Sequence, residues 1–233
     1  MKSKKQDPCY DLNIGRQLIY SALLLVIVLI VFEATHLDFY LSNYFFDGKA
    51  WVINANEPTL RFLFYNLPRW LLIAYASSVL LLFILSFILK AFAKFRTRKQ
   101  LFIILCAILV PLTVGVGKKI TNVYCPYQLE EYGGTKPYVH PFQDSHLGNG
   151  GKCFPAGHAS AGFALLLFIP LVRSKKQKLL ALAGALTAGW VMGGYQMLNG
   201  RHFLSHTIVT MLLSWIIVCI LYFLIFKWRL RKE

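Results

Sequence analysis

Acidic residues are scarce in this chain, 10 Asp and Glu among 233 residues against 25 Lys and Arg. Charged residues of both signs together reach 15%, well below the roughly one quarter of an ordinary soluble domain. A disordered chain is excluded, because disorder needs low hydrophobicity and dense charge. No internal repeat and no low-complexity tract occurs, which removes solenoids and fibrous arrays. No small-residue cleavage site follows the first apolar run, so that run is expected to be a retained span rather than a signal peptide.

What the chain has instead is apolar: 57% hydrophobic residues and a mean hydropathy of +0.53. Six apolar runs stand out, Leu18–Ala34, Leu71–Leu89, Leu101–Val116, Ala159–Val172, Leu179–Leu198 and Thr207–Phe226. A transmembrane helix takes about 17–25 residues. The second, fifth and sixth runs meet this comfortably, and the third and fourth are short. The expected fold is all-α, one transmembrane domain over residues 1–233 with six helices in a bundle. Basic clusters recur after every second span: Lys2, Lys4, Lys5 and Arg16; Lys90, Lys94, Arg96, Arg98 and Lys99; Arg173, Lys175, Lys176 and Lys178; Lys227, Arg229, Arg231 and Lys232. By the positive-inside rule these clusters and both termini are cytoplasmic. Segments 35–70 and 117–158 and the turn 199–206 then face outward, with all six histidines on or near that side. The net charge of +15 is therefore a topology signal and is not gathered on one soluble face, which excludes nucleic acid as a partner.

Most polar residues outside the basic clusters lie in 117–158 and 195–206. In the first, Pro155-Ala156-Gly157-His158 precedes an apolar run. Pro and Gly there suit a turn into a helix, whose first amides are unsatisfied and favour an anion. Lys152, three residues ahead, adds charge. A plain helix-start turn with an exposed histidine fits the same residues. In the second segment His202 and His206 stand four apart and share a helix face. They fit a structural hydrogen-bonded pair, a metal clamp, or a nucleophile with its orienter. Gln196 and Arg201 supply further phosphate-type donors.

Together these segments resemble the type 2 phosphatidic acid phosphatase family, membrane lipid phosphatases related to vanadium haloperoxidases. Its motifs are Lys-x6-Arg-Pro, Pro-Ser-Gly-His and Ser-Arg-x5-His-x3-Asp. They are matched in order by Lys118-x6-Cys125-Pro126, Pro155-Ala156-Gly157-His158 and Tyr195-Gln196-x5-His202-x3-His206. Cys125 and Gln196 stand where the family has Arg, and His206 stands where it has Asp. The resemblance implies that His202 attacks phosphorus to give a phosphohistidine, while His158 protonates the leaving group and then activates water. Lys118, Lys119, Lys152, Gln196, Arg201 and the amides near Ala156 and Gly157 would hold the phosphoryl oxygens, with no cofactor and no metal. A neutral His206 would hold the tautomer of His202 as Asp does elsewhere, without its negative charge. The implied setting is a bacterial inner membrane with the site facing the periplasm. The implied substrate is lipid A, undecaprenyl pyrophosphate, phosphatidylglycerol phosphate or phosphatidic acid. Alternatives are a phosphotransferase with a lipid acceptor, an inactive relative that binds a lipid phosphate, and a metal-binding protein using His158, His202 and His206. The cationic surroundings count against the last.

Of five cysteines, Cys9 is placed in the cytoplasm and Cys106 and Cys219 lie within spans. Only Cys125 and Cys153 fall on the outer side, where disulfides persist. A bridge between them is expected to stabilise by about 3–4 kcal/mol in the chain-entropy account and to tether Lys118 and Lys152 to one site. The loop from Tyr127 to Gly151, with Glu130, Glu131, His140, Asp144 and His146, suits either a lid over a lipid headgroup or a solvated loop. Leu37–Phe46 and Leu60–Leu67 are aromatic-rich and suit interfacial helices on the outer leaflet. Non-reducing peptide mapping should recover the Cys125 and Cys153 peptides linked; alkylation of both thiols without reductant would refute the bridge.

Overall fold

The computed structural model describes residues 13–141 and 150–227. Cys9, the terminal basic residues Lys2, Lys4, Lys5, Arg229, Arg231 and Lys232, and Asp144 and His146 of the expected lid lie outside the described residues. Among the described residues there is no β-strand, only two isolated bridges. The helices are α1 (Ile14–Ala34), α2 (Leu37–Ser42), α3 (Pro58–Ile88), α4 (Arg98–Thr121), α5 (Gly157–Leu171), α6 (Lys175–Leu198) and α7 (Leu204–Lys227).

Local sequence explains most helix starts. Asn13 accepts from the amide of Arg16 and Thr97 from that of Gln100. Ser174 and Gln177 form a capping box, and Pro58 opens α3 behind the capping carboxylate of Glu57. Helix α7 differs. Its N-cap is Phe203, which has no capping oxygen, and Asp38 of α2 supplies one instead. The Asp38 carboxylate accepts from the Ser205 amide at 2.9 Å and from the Ser205 hydroxyl.

Four of these helices are long and apolar enough to cross a membrane, those beginning at Ile14, Pro58, Arg98 and Leu204. Six were expected. Helix α5 is apolar but shorter. Helix α6 has 24 residues, but Gly184, Gly189, Gly193, Gly194 and Gln196 dilute its apolar character. Two of those glycines have a packing reason. A Cβ on Gly162 of α5 would lie 2.5 Å from the backbone nitrogen of Gly189, and one on Gly193 would lie 2.6 Å from Cγ2 of Thr207. Helices α5, α6 and α7 thus approach through small residues, as membrane helices do. The main core lies beside this contact, with Phe102, Phe163, Leu167, Val218 and Tyr222 buried in it.

Two outer elements differ from expectation. Leu60–Leu67 is not a separate interfacial helix but the outer end of α3, whose 31 residues span about 46 Å against a hydrocarbon core of about 30 Å. The excess carries a widened π-type turn at Phe62–Asn66. The first half of the expected lid is packed rather than loose. Tyr124, Leu129, Tyr132 and Val139 form a second small core with Phe203, against Phe39, Phe46 and Trp51.

Gly162→Ala drives a methyl group into backbone that cannot yield and should cost about 1–3 kcal/mol. Gly184→Ala, whose added methyl meets nothing within 4 Å, should not. Thermal unfolding of the two variants in detergent separates them.

Candidate active site

Four helix ends meet at one end of the bundle, opposite the basic clusters Lys90–Lys99 and Lys175–Lys178. Helix α4 arrives with Lys118 in its last turn, a placement the helix dipole favours, and Asn122 turns the chain away at φ 53°. Helix α5 leaves with Gly157 and His158. Helix α6 arrives with Gln196, whose carbonyl accepts from the amides of Arg201 (2.8 Å) and His202 (3.2 Å). That turn depends on Gly200. Its φ is 72°, and a Cβ there would fall 2.2 Å from the Trp51 ring. The second motif is tied to the third by the amide of Ala156, which donates to the His206 carbonyl at 3.2 Å. Cys125 and Cys153 are bonded, with Cα atoms 5.1 Å apart, as expected.

These ends enclose a pocket of about 210 Å³ lined by Lys118, His158, Gln196, Arg201 and His202, and also by Arg61, Tyr65, Tyr195 and Asn199. Asn199 Nδ2 donates to Gln196 Oε1 at 3.2 Å, which turns the Gln196 amide so that its Nε2 donates to His158 Nδ1 at 3.1 Å. A neutral His158 therefore carries its proton on Nε2. The Tyr65 ring packs against it, centroids 4.1 Å apart.

His202 and His206 are both buried, with their Nδ1 atoms 3.4 Å apart. Cys153 Sγ is also 3.4 Å from His202 Nδ1, but a disulfide sulfur has no proton to give. Burial holds His202 well below the ordinary imidazole range. The Lys118 charge and the neighbouring imidazoles add to this, and the Cys153 carbonyl opposes it weakly. His202 is thus a neutral imidazole at neutral pH.

No carboxylate lines the pocket, while Arg61, Lys118 and Arg201 do. The Arg201 guanidinium is held over the Tyr127 ring, 4.5 Å from its centroid. Tyr195 Oη and Asn199 Oδ1 are buried with no hydrogen-bond partner among the described residues. A cationic pocket with spare polar atoms suits an anion carrying hydroxyl or ester oxygens. It suits a metal poorly. The tightest cluster of metal-type ligands comprises Cys153, His202 and His206, their atoms within 4.8 Å of one another. The disulfide removes its thiolate, and two imidazoles beside Lys118 fall short of zinc's four ligands. His158 is not part of that cluster.

Lys119 and Lys152 are exposed and lie outside the pocket lining, and the Ala156 amide is already engaged. Positive charge comes instead from Arg61, which sequence reasoning missed along with Tyr65, Tyr195 and Asn199. The available signal was spacing: Arg61 with Tyr65 and Tyr195 with Asn199 are each four apart in outward-facing segments. Asp38 was missed as well, an isolated acid inside an aromatic-rich stretch.

No solved structure matches the chain. It is 29% identical over 206 residues to the lipid A 4'-phosphatase of Francisella tularensis subsp. novicida (strain U112), covering 85% of this chain and 89% of that protein. A family model described as the PAP2 superfamily matches residues 99–230, which hold Lys118, His158, Gln196, His202 and His206. With Lys118, His158, Gln196 and His202 of that range lining one pocket, the chain belongs to the PAP2 superfamily.

Proposed function

We propose that the protein is a phosphatase that removes phosphate from a membrane lipid phosphate through a phosphohistidine on His202. The observation that carries this is the contact between His202 and His206 beside a cationic pocket. If His206 Nδ1 accepts, His202 carries its proton on Nδ1 and keeps the Nε2 lone pair free. That lone pair attacks phosphorus in line as the phosphorus–oxygen ester bond breaks. Nε2–H of His158 passes its proton to the leaving oxygen, and the same nitrogen then takes a proton from water. The resulting hydroxide breaks the phosphorus–nitrogen bond and releases phosphate. Arg61, Lys118, Arg201 and Gln196 face the developing charge, and phosphoryl transfer asks little more of a protein. The chemistry as written needs no metal.

A lipid phosphate is favoured over a soluble one by what lies beneath the pocket. An apolar groove of about 110 Å³ is lined by Ala161 of α5, Pro111 of α4 and Ile73 of α3. Ala161 is about one turn below His158, and Pro111 about two turns below Lys118. A phosphate in the pocket therefore has a slot for an acyl chain one to two turns further into the bundle. The similarity to a lipid A 4'-phosphatase makes lipid A the first substrate to try. The remaining candidates are undecaprenyl pyrophosphate, phosphatidylglycerol phosphate and phosphatidic acid.

In this reading six helices cross the membrane. The second part of α5, Ala164–Leu171, is 3-10 helix, whose rise of about 2.0 Å per residue gives all of α5 a length of about 26 Å. The basic ends then lie in the cytoplasm, and the site opens to the periplasmic face of a bacterial inner membrane.

Reconstituted protein should release phosphate from at least one of these lipids, and His202→Ala should abolish release. Transfer of phosphate to an added lipid without free phosphate would make the enzyme a phosphotransferase; lipid binding without turnover would make it an inactive relative. His158→Ala should lower turnover by roughly 10²–10⁴. His206→Asp should keep or raise turnover and His206→Ala should lower it, an inert His206→Ala removing that residue from the mechanism. Because its lowered pKa leaves His202 unprotonated where free histidine is charged, kcat/KM should persist below pH 6.5. An acid limb of kcat/KM centred near 6.5 in the native protein would contradict this.

A further inference from the structure

His206 stands where a carboxylate is expected, and a neutral imidazole cannot stabilise the positive charge that builds on His202 as it bonds to phosphorus. A carboxylate is nevertheless close by in space. Asp38 is 6% exposed, on α2, 167 residues before its partner Ser205. Ser205 immediately precedes His206. Asp38 and His206 also line one small cavity of about 20 Å³, together with Glu33, Tyr138 and Ser205. That is room for one water molecule with enough polar partners to hold it.

We propose that Asp38 is the positioning carboxylate of this site, acting on His202 through His206 and one bound water. The inference rests on the phosphohistidine reading for its effect on rate. In the tautomer that leaves His202 Nε2 free, His206 accepts at Nδ1 and carries its own proton on Nε2, where the cavity water shares it with the Cys153 carbonyl, a backbone partner of both imidazoles. The cavity water accepts it and donates in turn to Asp38. When the Nε2–phosphorus bond forms on His202, its Nδ1 proton moves toward His206, the His206 Nε2 proton toward water, and a water proton toward Asp38. Each N–H or O–H bond that weakens is matched by one that forms, and no charge leaves the relay. The negative charge that a directly bonded carboxylate would bring thus reaches His202 from one ring further away. Burial raises the Asp38 carboxyl to about 6 against the lowering effect of its Ser205 hydrogen bonds, which makes it a stronger proton acceptor than an ordinary carboxylate.

The alternative role for Asp38 is purely structural, as the cap of α7. Asp38→Asn keeps an oxygen for the Ser205 amide and removes only the charge, and His206→Asp puts a carboxylate beside His202 directly. With lipid phosphate as substrate, Asp38→Asn should lower kcat roughly 10–100-fold at little change in KM. In the His206→Asp background the same change should cost less than about threefold. An equal loss in both backgrounds would reduce Asp38 to a cap and overturn the relay. A second readout needs no turnover. In histidine-labelled protein, 15N NMR should find His206 protonated on Nε2 in the native chain, a signal absent from His206→Asp and redistributed between the two nitrogens in Asp38→Asn. A His206 protonated on Nδ1 in the native chain would overturn the relay even if Asp38→Asn failed to fold. The expected tautomer and its redistribution in a protein that turns over none of the lipids would leave the relay standing and sink the phosphatase reading.

Discussion

One contact sets the terms for this site, the approach of two buried imidazoles through their Nδ1 atoms at 3.4 Å. Two neutral rings meeting this way cannot both carry a proton there, so the pair has a direction, and the direction decides which ring presents a free Nε2 to the pocket. Much of the surrounding structure holds these two rings in place. The Gln196 carbonyl gathers the amides of Arg201 and His202. Ala156 is tied to His206 through its amide and to Thr210 through its carbonyl. The disulfide occupies the remaining space beside His202 and keeps a thiolate out of it. Small residues let α5, α6 and α7 close to the distance at which the second and third motifs can touch.

Electrostatics follows from the same packing. Two histidines and three cations share a pocket with no carboxylate in its lining, and burial keeps His202 neutral. Such a pocket favours an anion, because an opposite charge beside partly buried cations is worth more than one in open water. The family's first and third motifs would supply two arginines that this chain lacks. Arg61 enters from the overhanging end of α3 and Arg201 from the turn before His202, so the pocket keeps its positive charge through different elements. The one buried carboxylate nearby, Asp38, sits behind His206, where it does not compete with the anion for the pocket.

Much of this was legible in the chain. Apolar runs marked every long helix, and the motif residues Lys118, His158, Gln196, Arg201 and His202 lie around one pocket. The pairing of Cys125 with Cys153 followed from which cysteines faced outward. The errors have definite causes. Apolar runs stop at the first charge, so the outer end of α3 was cut off and Arg61 was lost with it. Lys119 adjoins Lys118 in sequence, but consecutive helical residues point about 100° apart, while Lys152 lies in the non-helical segment before Pro155, and both are exposed. The glycine-rich loop read as loose because its anchors, Leu129, Tyr132 and Val139, find their core against residues distant in sequence, Phe39, Phe46, Trp51 and Phe203.

By itself the sequence determined the all-helical membrane character, the polarity of the two bundle ends and the identity of the motif histidines. Those properties are carried by composition and by short spacings, which act within a few residues of where they are written. The tertiary structure alone decided which cations face the pocket, how closely the two buried imidazoles approach and where a buried carboxylate lies beside them. Asp38 meets Ser205 across 167 residues, and Arg61 and Tyr65 meet His158 from another helix. Contacts of that kind leave no local pattern, because they exist only once the helices have packed.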